Sequence, residues 1–263
     1  MTRFEEFRDL HRAGAPLVLP NAWDLASAAA LAGAGFRALG TTSLGVAAAA
    51  GRSDARGDTR AETVRLAHGM VRLDALVSVD VEGGFGDEPE QVAALAAELA
   101  DAGVAGVNIE DGLPDGGLRA PDRQCALIEA VKDAAPDLFV NARTDTHWLP
   151  GHTARTAERA EAYRAAGADG VFVPGLTDAA AIADLVRALD VPLNILYSPA
   201  GPSLRALADL GVRRVSCGSL LFRAALGATV ATALAVARDE PVPAGLPTYA
   251  EAQALADAYT ELP

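Results

Sequence analysis

Eight short apolar runs, each followed by an Ala- and Leu-rich amphipathic stretch, three near-copies of one helix-to-strand junction, and polar residues closing most of the runs predict a (β/α)8 TIM barrel. The runs lie at 16–19, 36–40, 75–79, 106–109, 138–141, 170–173, 192–196 and 214–217. They are continuous in apolar residues rather than alternating, as strands buried on both faces are, so the sheet is parallel and covered by helices. The junctions read Ala-Gly-Val-Ala-Gly-Val, Ala-Gly-Ala-Asp-Gly-Val and Leu-Gly-Val-Arg-Arg-Val. Gly35, Gly103, Gly167 and Gly211 each precede a strand, where a helix ends in a left-handed cap that suits glycine. An open doubly wound sheet is the alternative that the same βα repeat allows.

The intervening stretches are helical. Residues 89–99 are helix formers with an acidic first turn, and Gly103 stops them. Pro241, Pro243 and Pro247 break the last long helix and make a stiff connector, after which a short helix spans about 249–259. The chain thus divides into a catalytic barrel, 1–240, and a connector with a C-terminal helix, 241–263. That helix must bury Leu255 and its alanine neighbours, either on its own barrel or on a neighbouring subunit.

Composition narrows the function. The 263 residues are 51% hydrophobic, enough for a substantial core, and one barrel domain accounts for this length. A net charge of −13 disfavours nucleic acid, which needs clustered Lys and Arg, and suits a cation cofactor. Cys125 and Cys217 are far apart and lack metal-ligand spacing, which fits a reducing cytoplasm. Residues 1–7 carry acids and no apolar stretch, and the Ala-rich 26–35 is too short and Gly-interrupted to span about 30 Å of hydrocarbon. The expectation is a soluble cytoplasmic protein with no membrane partner.

Barrel enzymes place their chemistry at the C-terminal ends of strands. Here those ends carry Asn21 and Asp24, then Thr41, Thr42, Ser43 and Leu44, then Asp80 and Glu82, Glu110 and Asp111, Asn141, Arg143 and Asp145, and finally Asn194 and Ser216. Asp80, Glu82 and Glu110 would converge from adjacent strands, and a cation resolves their repulsion; an all-oxygen set suits Mg²⁺. Helix capping is the other use of such acids. Arg143 needs an anion, either a substrate carboxylate or a structural partner in Glu110 or Asp145. Thr42, Ser43 and Leu44 offer hydroxyls and consecutive N–H groups at a turn. His147, just past Asp145, is a candidate acid or base, whereas Cys125 reads as a buried thiol at a helix start.

With these residues in view, the chain resembles the isocitrate lyase/phosphoenolpyruvate mutase superfamily from about 16 to 232. The resemblance rests on Ser78-Val79-Asp80-Val81-Glu82-Gly83-Gly84-Phe85-Gly86, Val107-Asn108-Ile109-Glu110-Asp111 and Asn141-Ala142-Arg143-Thr144-Asp145. It implies Mg²⁺, with Mn²⁺ as a substitute, held by Asp80 directly or nearly so, with Asp54, Glu82 and Glu110 contributing mostly through water. It also implies a 2-oxo acid or enolate held at Thr42, Ser43 and Leu44 and by Arg143, with Asn194 and Ser216 lining the far side. Arg143, Asp54 and Glu110 would be the catalytic residues. A homotetramer that exchanges its C-terminal helix between subunits is implied as well.

The chain also departs from that pattern. Lyases of the superfamily carry a Lys-Lys/Arg-Cys-Gly-His loop after the fourth strand, whose Cys supplies a proton; here 111–125 holds no such core, and only Arg119 and Arg123 are cationic. At the sixth strand end, where mutases show a His, Pro174 stands. The expected activity is Mg²⁺-dependent C–C cleavage of a small 2-oxo acid or its precursor, methylisocitrate lyase-like. Oxaloacetate decarboxylation, P–C bond chemistry and non-catalytic 2-oxo-acid binding are the alternatives.

Overall fold

The apolar runs become a ring of parallel strands in the computed structural model, which describes residues 1–260; residues 261–263 of the expected C-terminal segment lie outside it. The strands are β1 (Leu17–Leu19), β2 (Asn21–Ala22), β3 (Ala38–Thr41), β4 (Leu76–Asp80), β5 (Gly106–Glu110), β6 (Phe139–Arg143), β7 (Gly170–Val173), β8 (Leu193–Leu196) and β9 (Arg214–Ser216). Their order is β1-β9-β8-β7-β6-β5-β4-β3-β2, parallel throughout. β1 and β2 are halves of one run interrupted at Pro20, which has no N–H to donate to a ladder. β1 pairs with β9 and β2 with β3, so this run closes the ring as a TIM barrel and excludes the open sheet.

The chain alternates these strands with helices α1 (Arg3–Arg12), α2 (Leu25–Gly33), α3 (Ser43–Ala49), α4 (Arg60–Met70), α5 (Pro89–Asp101), α6 (Pro121–Ala134), α7 (Thr156–Ala165), α8 (Ala179–Ala188), α9 (Leu204–Asp209), α10 (Leu220–Ala237) and α11 (Tyr249–Ala254). The junction glycines do what the repeat predicts: Gly35, Gly103, Gly167 and Gly211 have φ of 90, 94, 100 and 89°. Val77, Val79, Val107, Ile109 and Val140 face outward from the strands and pack with Leu95, Leu99, Leu127 and Val131 of the covering helices.

Inside the ring the bottom layer is apolar. Phe7, from α1, plugs it together with Leu19, Leu76 and Phe139, and His11 stacks on Phe139 at 4.5 Å between ring centroids. Above this plug the interior turns polar, with Ser78, Asn108, Asn141, Asn194, Arg214 and Ser216 all buried. Barrels of this type are ordinarily filled by branched apolar side chains, so the polar layer sets this one apart.

Two features at the C-terminus bear on how the chain buries its apolar surface. Of the two places open to the last helix, its own barrel is the one occupied: Leu255 and Tyr259 pack against the chain's own core. The Tyr259 hydroxyl donates to the Leu25 carbonyl at 2.6 Å, and Arg72 donates to the Tyr259 carbonyl. Within this chain the segment therefore finds its apolar partner at home. The exposed apolar surface lies instead on α10, whose Leu226, Val230 and Leu234 form an i, i+4, i+8 stripe. α10 is 18 residues long and apolar enough, by length and composition alone, to cross a membrane, a property not read from the sequence runs above.

Candidate functional site

Three strands run past their apolar segment into charge: β4 ends at Asp80, β5 at Glu110 and β6 at Arg143. Asp80 and Glu110 lie two residues beyond Ser78 and Asn108, on the inward face, and their carboxylates line one cavity at the barrel mouth. That cavity, of about 180 Å³, is also lined by Asn21, Thr42, Ser43, Leu44, Asp54, Arg143, Asp145 and Ser216. Of the residues expected at the site, all but Glu82 and Asn194 line it.

The Glu82 carboxylate turns away. It accepts from Gly57 N at 2.9 Å and from the Thr59 hydroxyl at 2.8 Å, anchoring the loop that carries Asp54. The backbone causes this: Glu82 sits at φ 50°, so the chain has left the strand and the alternation that would aim the side chain at Asp80 no longer applies. The expected trio Asp80, Glu82 and Glu110 is therefore not assembled, and among the described residues no group of three His, Cys, Asp or Glu side chains is placed to hold a metal ion. Asp54 does line the cavity, with its Oδ1 buried and unpartnered. Asn194 lies one layer lower, in register with Arg214, and both of its side-chain polar atoms lack partners.

Arg143 meets both structural partners foreseen for it. Nη1 is 2.6 Å from Glu110 Oε2, while Nε donates to Asp145 Oδ1 at 2.6 Å and Nη2 to Asp145 Oδ2 at 3.2 Å. A guanidinium has five N–H donors, so donors on Nη1 and Nη2 remain for a ligand in the cavity. The Asp145 turn is held from below by Asp111. That carboxylate accepts from Asp145 N at 2.8 Å, the Thr144 hydroxyl at 2.9 Å, Arg159 Nη1 at 2.9 Å and the Tyr163 hydroxyl at 2.7 Å. Gly112 completes the fit, because a Cβ there would collide with the Asp145 carboxylate.

The opposite wall is the start of α3. Thr42 is its N-cap residue, the first turn leaves N–H groups at Ser43 and Leu44 without intrahelical acceptors, and all three residues line the cavity. Asn21 joins the ends of the ring: Nδ2 donates to the Thr41 carbonyl at 2.8 Å, and Oδ1 accepts from Cys217 N at 3.0 Å and Gly218 N at 2.8 Å.

Electrostatically the cavity is short of positive charge. Burial pushes Asp80 up to about 6 and Glu110 up to about 8, although the Arg143 guanidinium opposes both. Burial also raises Glu82 and Asp145. Arg143 is held firmly protonated, since Glu110 and Asp145 outweigh its own burial. Carboxyls raised in this way mark a place where an added cation would be stabilised.

His147 and Cys125 fall outside the cavity. His147 closes a 3-10 turn after β6, half-buried, while Trp148 and Leu149 contribute to the lining. Cys125 lies on α6, where its Sγ donates to the Ala162 carbonyl at 3.5 Å and burial raises its pKa. The segment after β5 is a closed turn, with Leu113 N donating to Gly117 O at 2.9 Å and Arg119 N to Asp111 O at 2.7 Å. Sequence reasoning missed Arg214; the only signal for it was a charge at the start of an otherwise apolar run.

This arrangement has relatives. Residues 7–237 match the family described as phosphoenolpyruvate phosphomutase. Over 250 residues the chain is 45% identical to an uncharacterized protein of Mycobacterium tuberculosis, covering 94% of this chain and 95% of that one. It is 34% identical over 232 residues to a 2-methylisocitrate lyase of Bacillus subtilis, covering 83% of this chain and 76% of the other. The crystal structure of a 2,3-dimethylmalate lyase superposes with a TM-score of 0.84 at 27% identity, covering 98% of this chain and 94% of that one. The chain belongs to the phosphoenolpyruvate phosphomutase family, and through it to the isocitrate lyase/PEP mutase superfamily of lyases and mutases.

Proposed function

We propose that the protein is a Mg²⁺-dependent lyase that cleaves a C–C bond in a small 2-oxo acid, or in a precursor of one, through an enolate-like intermediate. The observation that carries this reading is that one cavity gathers the acids Asp80, Asp54 and Glu110, the guanidinium of Arg143 and the start of α3. The buried, unpartnered Oδ1 of Asp54 and the raised carboxyl of Asp80 fit a divalent cation that keeps several waters and takes few direct carboxylates. Bound there by Asp80 and Asp54, Mg²⁺ or Mn²⁺ would supply Lewis-acid stabilisation of the substrate's oxygens.

The chain's own residues do the rest. Arg143 orients the anionic substrate through its remaining donors, and the N–H groups of Ser43 and Leu44 donate to a carboxylate or developing enolate oxygen. Phe172, Leu196 and Trp148 exclude water from one side. Glu110, 2.6 Å from Arg143 Nη1, fixes that guanidinium in the cavity wall.

A second reading is oxaloacetate decarboxylation. It is favoured by the lining, which contains no Cys, His, Lys or Tyr to protonate a departing carboxylate fragment, because loss of CO₂ requires no such donor. The cavity, of about 180 Å³, also suits a compact substrate. Assay of oxaloacetate, methylisocitrate, isocitrate and phosphonopyruvate with Mg²⁺, reading 2-oxo-acid formation, separates these reactions. Full activity in excess EDTA, or unaltered kinetics in Asp80→Ala, would refute the metal assignment.

A further inference from the structure

We propose that Arg214 is a positioning residue of this site: from β9 it ties β4 and β5 across the barrel one layer beneath Asp80 and Glu110, and, with Arg143 above, it sets a second buried positive charge against Asp80. The proposal rests on the reading of the barrel mouth as the reactive site. It starts from side-chain alternation. Ser78, Asn108 and Asn141 stand two residues before Asp80, Glu110 and Arg143 on the same strands, so each lies directly below a residue of the mouth.

Arg214 laces this lower layer together. Its Nη2 donates to Asn108 Oδ1 at 3.0 Å and lies 3.3 Å from the Ser78 hydroxyl, and Asn141 Nδ2 donates to the same Asn108 oxygen at 2.8 Å. One guanidinium thereby joins β9 to β4 and β5 on the far side of the ring and, through Asn108, to β6. A shift of Arg214 would move the three strand ends that carry Asp80, Glu110 and Arg143.

The cost of keeping it there is evident. Arg214 is 1% exposed, its Nε and Nη1 have no partner, and the oxygens it does bond are neutral. A barrel that needed only to be filled would carry Leu, Ile or Met at this position, since a buried charge without a carboxylate contact is destabilising. Two features offset that cost: the Phe7 ring, 5.9 Å below the guanidinium carbon, and the field of Asp80 above. Asp80 is the carboxylate whose charge favours the buried cation.

The test uses Arg214→Met, Asp80→Asn and the double variant of the full chain, unfolded by urea in EDTA so that no substrate or metal enters the readout. Arg214→Met is expected to cost more in the wild-type background than in Asp80→Asn, by over about threefold in the unfolding equilibrium constant. Costs equal within about threefold overturn the counter-charge. Should Arg214→Met fail to fold, Arg214→Gln, which removes the charge and can still bond Asn108, enters the same cycle. On whichever substrate the wild type turns over, folded Arg214→Met is expected to lose about a hundredfold in kcat with KM within about threefold, because Arg214 does not touch the ligand. Retained kcat overturns the positioning role. A wild type that turns over none of the four substrates refutes the lyase reading alone, and the urea cycle still decides Arg214.

Discussion

Arg143 holds two buried carboxylates at the barrel mouth, and its replacement perturbs both. The guanidinium is 14% exposed, and its partners Glu110 and Asp145 are 6% and 4% exposed, so all three charges are desolvated. Removing one partner of a buried pair costs about 3–5 kcal/mol, and Arg143→Ala strands two carboxylates at once. Burial raises the Glu110 carboxyl and Arg143 opposes that rise, so without the guanidinium Glu110 takes a proton, which places the expected loss toward the lower figure. Arg143→Lys keeps the charge, but an ammonium on a flexible stem cannot span Glu110 and both oxygens of Asp145. It loses at least one charge-assisted hydrogen bond, about 1.5–3 kcal/mol, or roughly ten- to a hundredfold in kcat/KM. Steady-state kinetics of 2-oxo-acid release, with urea unfolding in parallel, separates the catalytic from the stability effect. An Arg143→Lys enzyme within about threefold of wild type in kcat/KM would show that the fork matters only as a point charge.

Other outcomes follow from the same structure. Asp80 and Glu110 bind protons more tightly folded than unfolded, with about 6 against 3.8 and about 8 against 4.5, so their contribution to stability is full below about pH 4 and is lost as pH rises through 6 and 8. Thermal unfolding in EDTA is expected to show a Tm that falls from pH 5 to pH 8, with Mg²⁺ flattening the slope; a Tm that rises over that interval contradicts the burial of these acids. Cys125→Ser should retain activity within about threefold, since the thiol lies on α6 away from the cavity, and a loss of several orders in kcat would restore a loop-acid mechanism. The Leu226, Val230 and Leu234 stripe of α10 is expected to be covered by a second copy of the chain in a homo-oligomer. Light scattering on Leu226→Lys/Val230→Lys should then report dissociation, and an unchanged mass, or a wild type that is already monomeric, excludes that surface as the interface.

The barrel was legible in the sequence because its signals are local. A doubly buried strand is a continuous apolar run, a helix stop before it is a glycine at positive φ, and both recur with each βα unit. The mouth residues were legible for the same reason: a strand that runs into Asp80, Glu110 or Arg143 carries that side chain to the C-terminal face wherever the ring closes. What lay beyond sequence was every feature set by a contact between distant segments. Glu82 leaves the cavity because its backbone turns left-handed and Gly57 and Thr59 receive its carboxylate, while Asp54 on the loop so anchored lines the cavity. Arg143 acquires Glu110 and Asp145 together only when β5 and β6 lie in register. Tyr259 reaches the Leu25 carbonyl across 234 residues of chain, and Arg214 meets Ser78 and Asn108 across the barrel. Sequence periodicity states which face of an element is apolar; which polar groups end within hydrogen-bonding distance depends on ring closure and register, and these the tertiary structure alone decides.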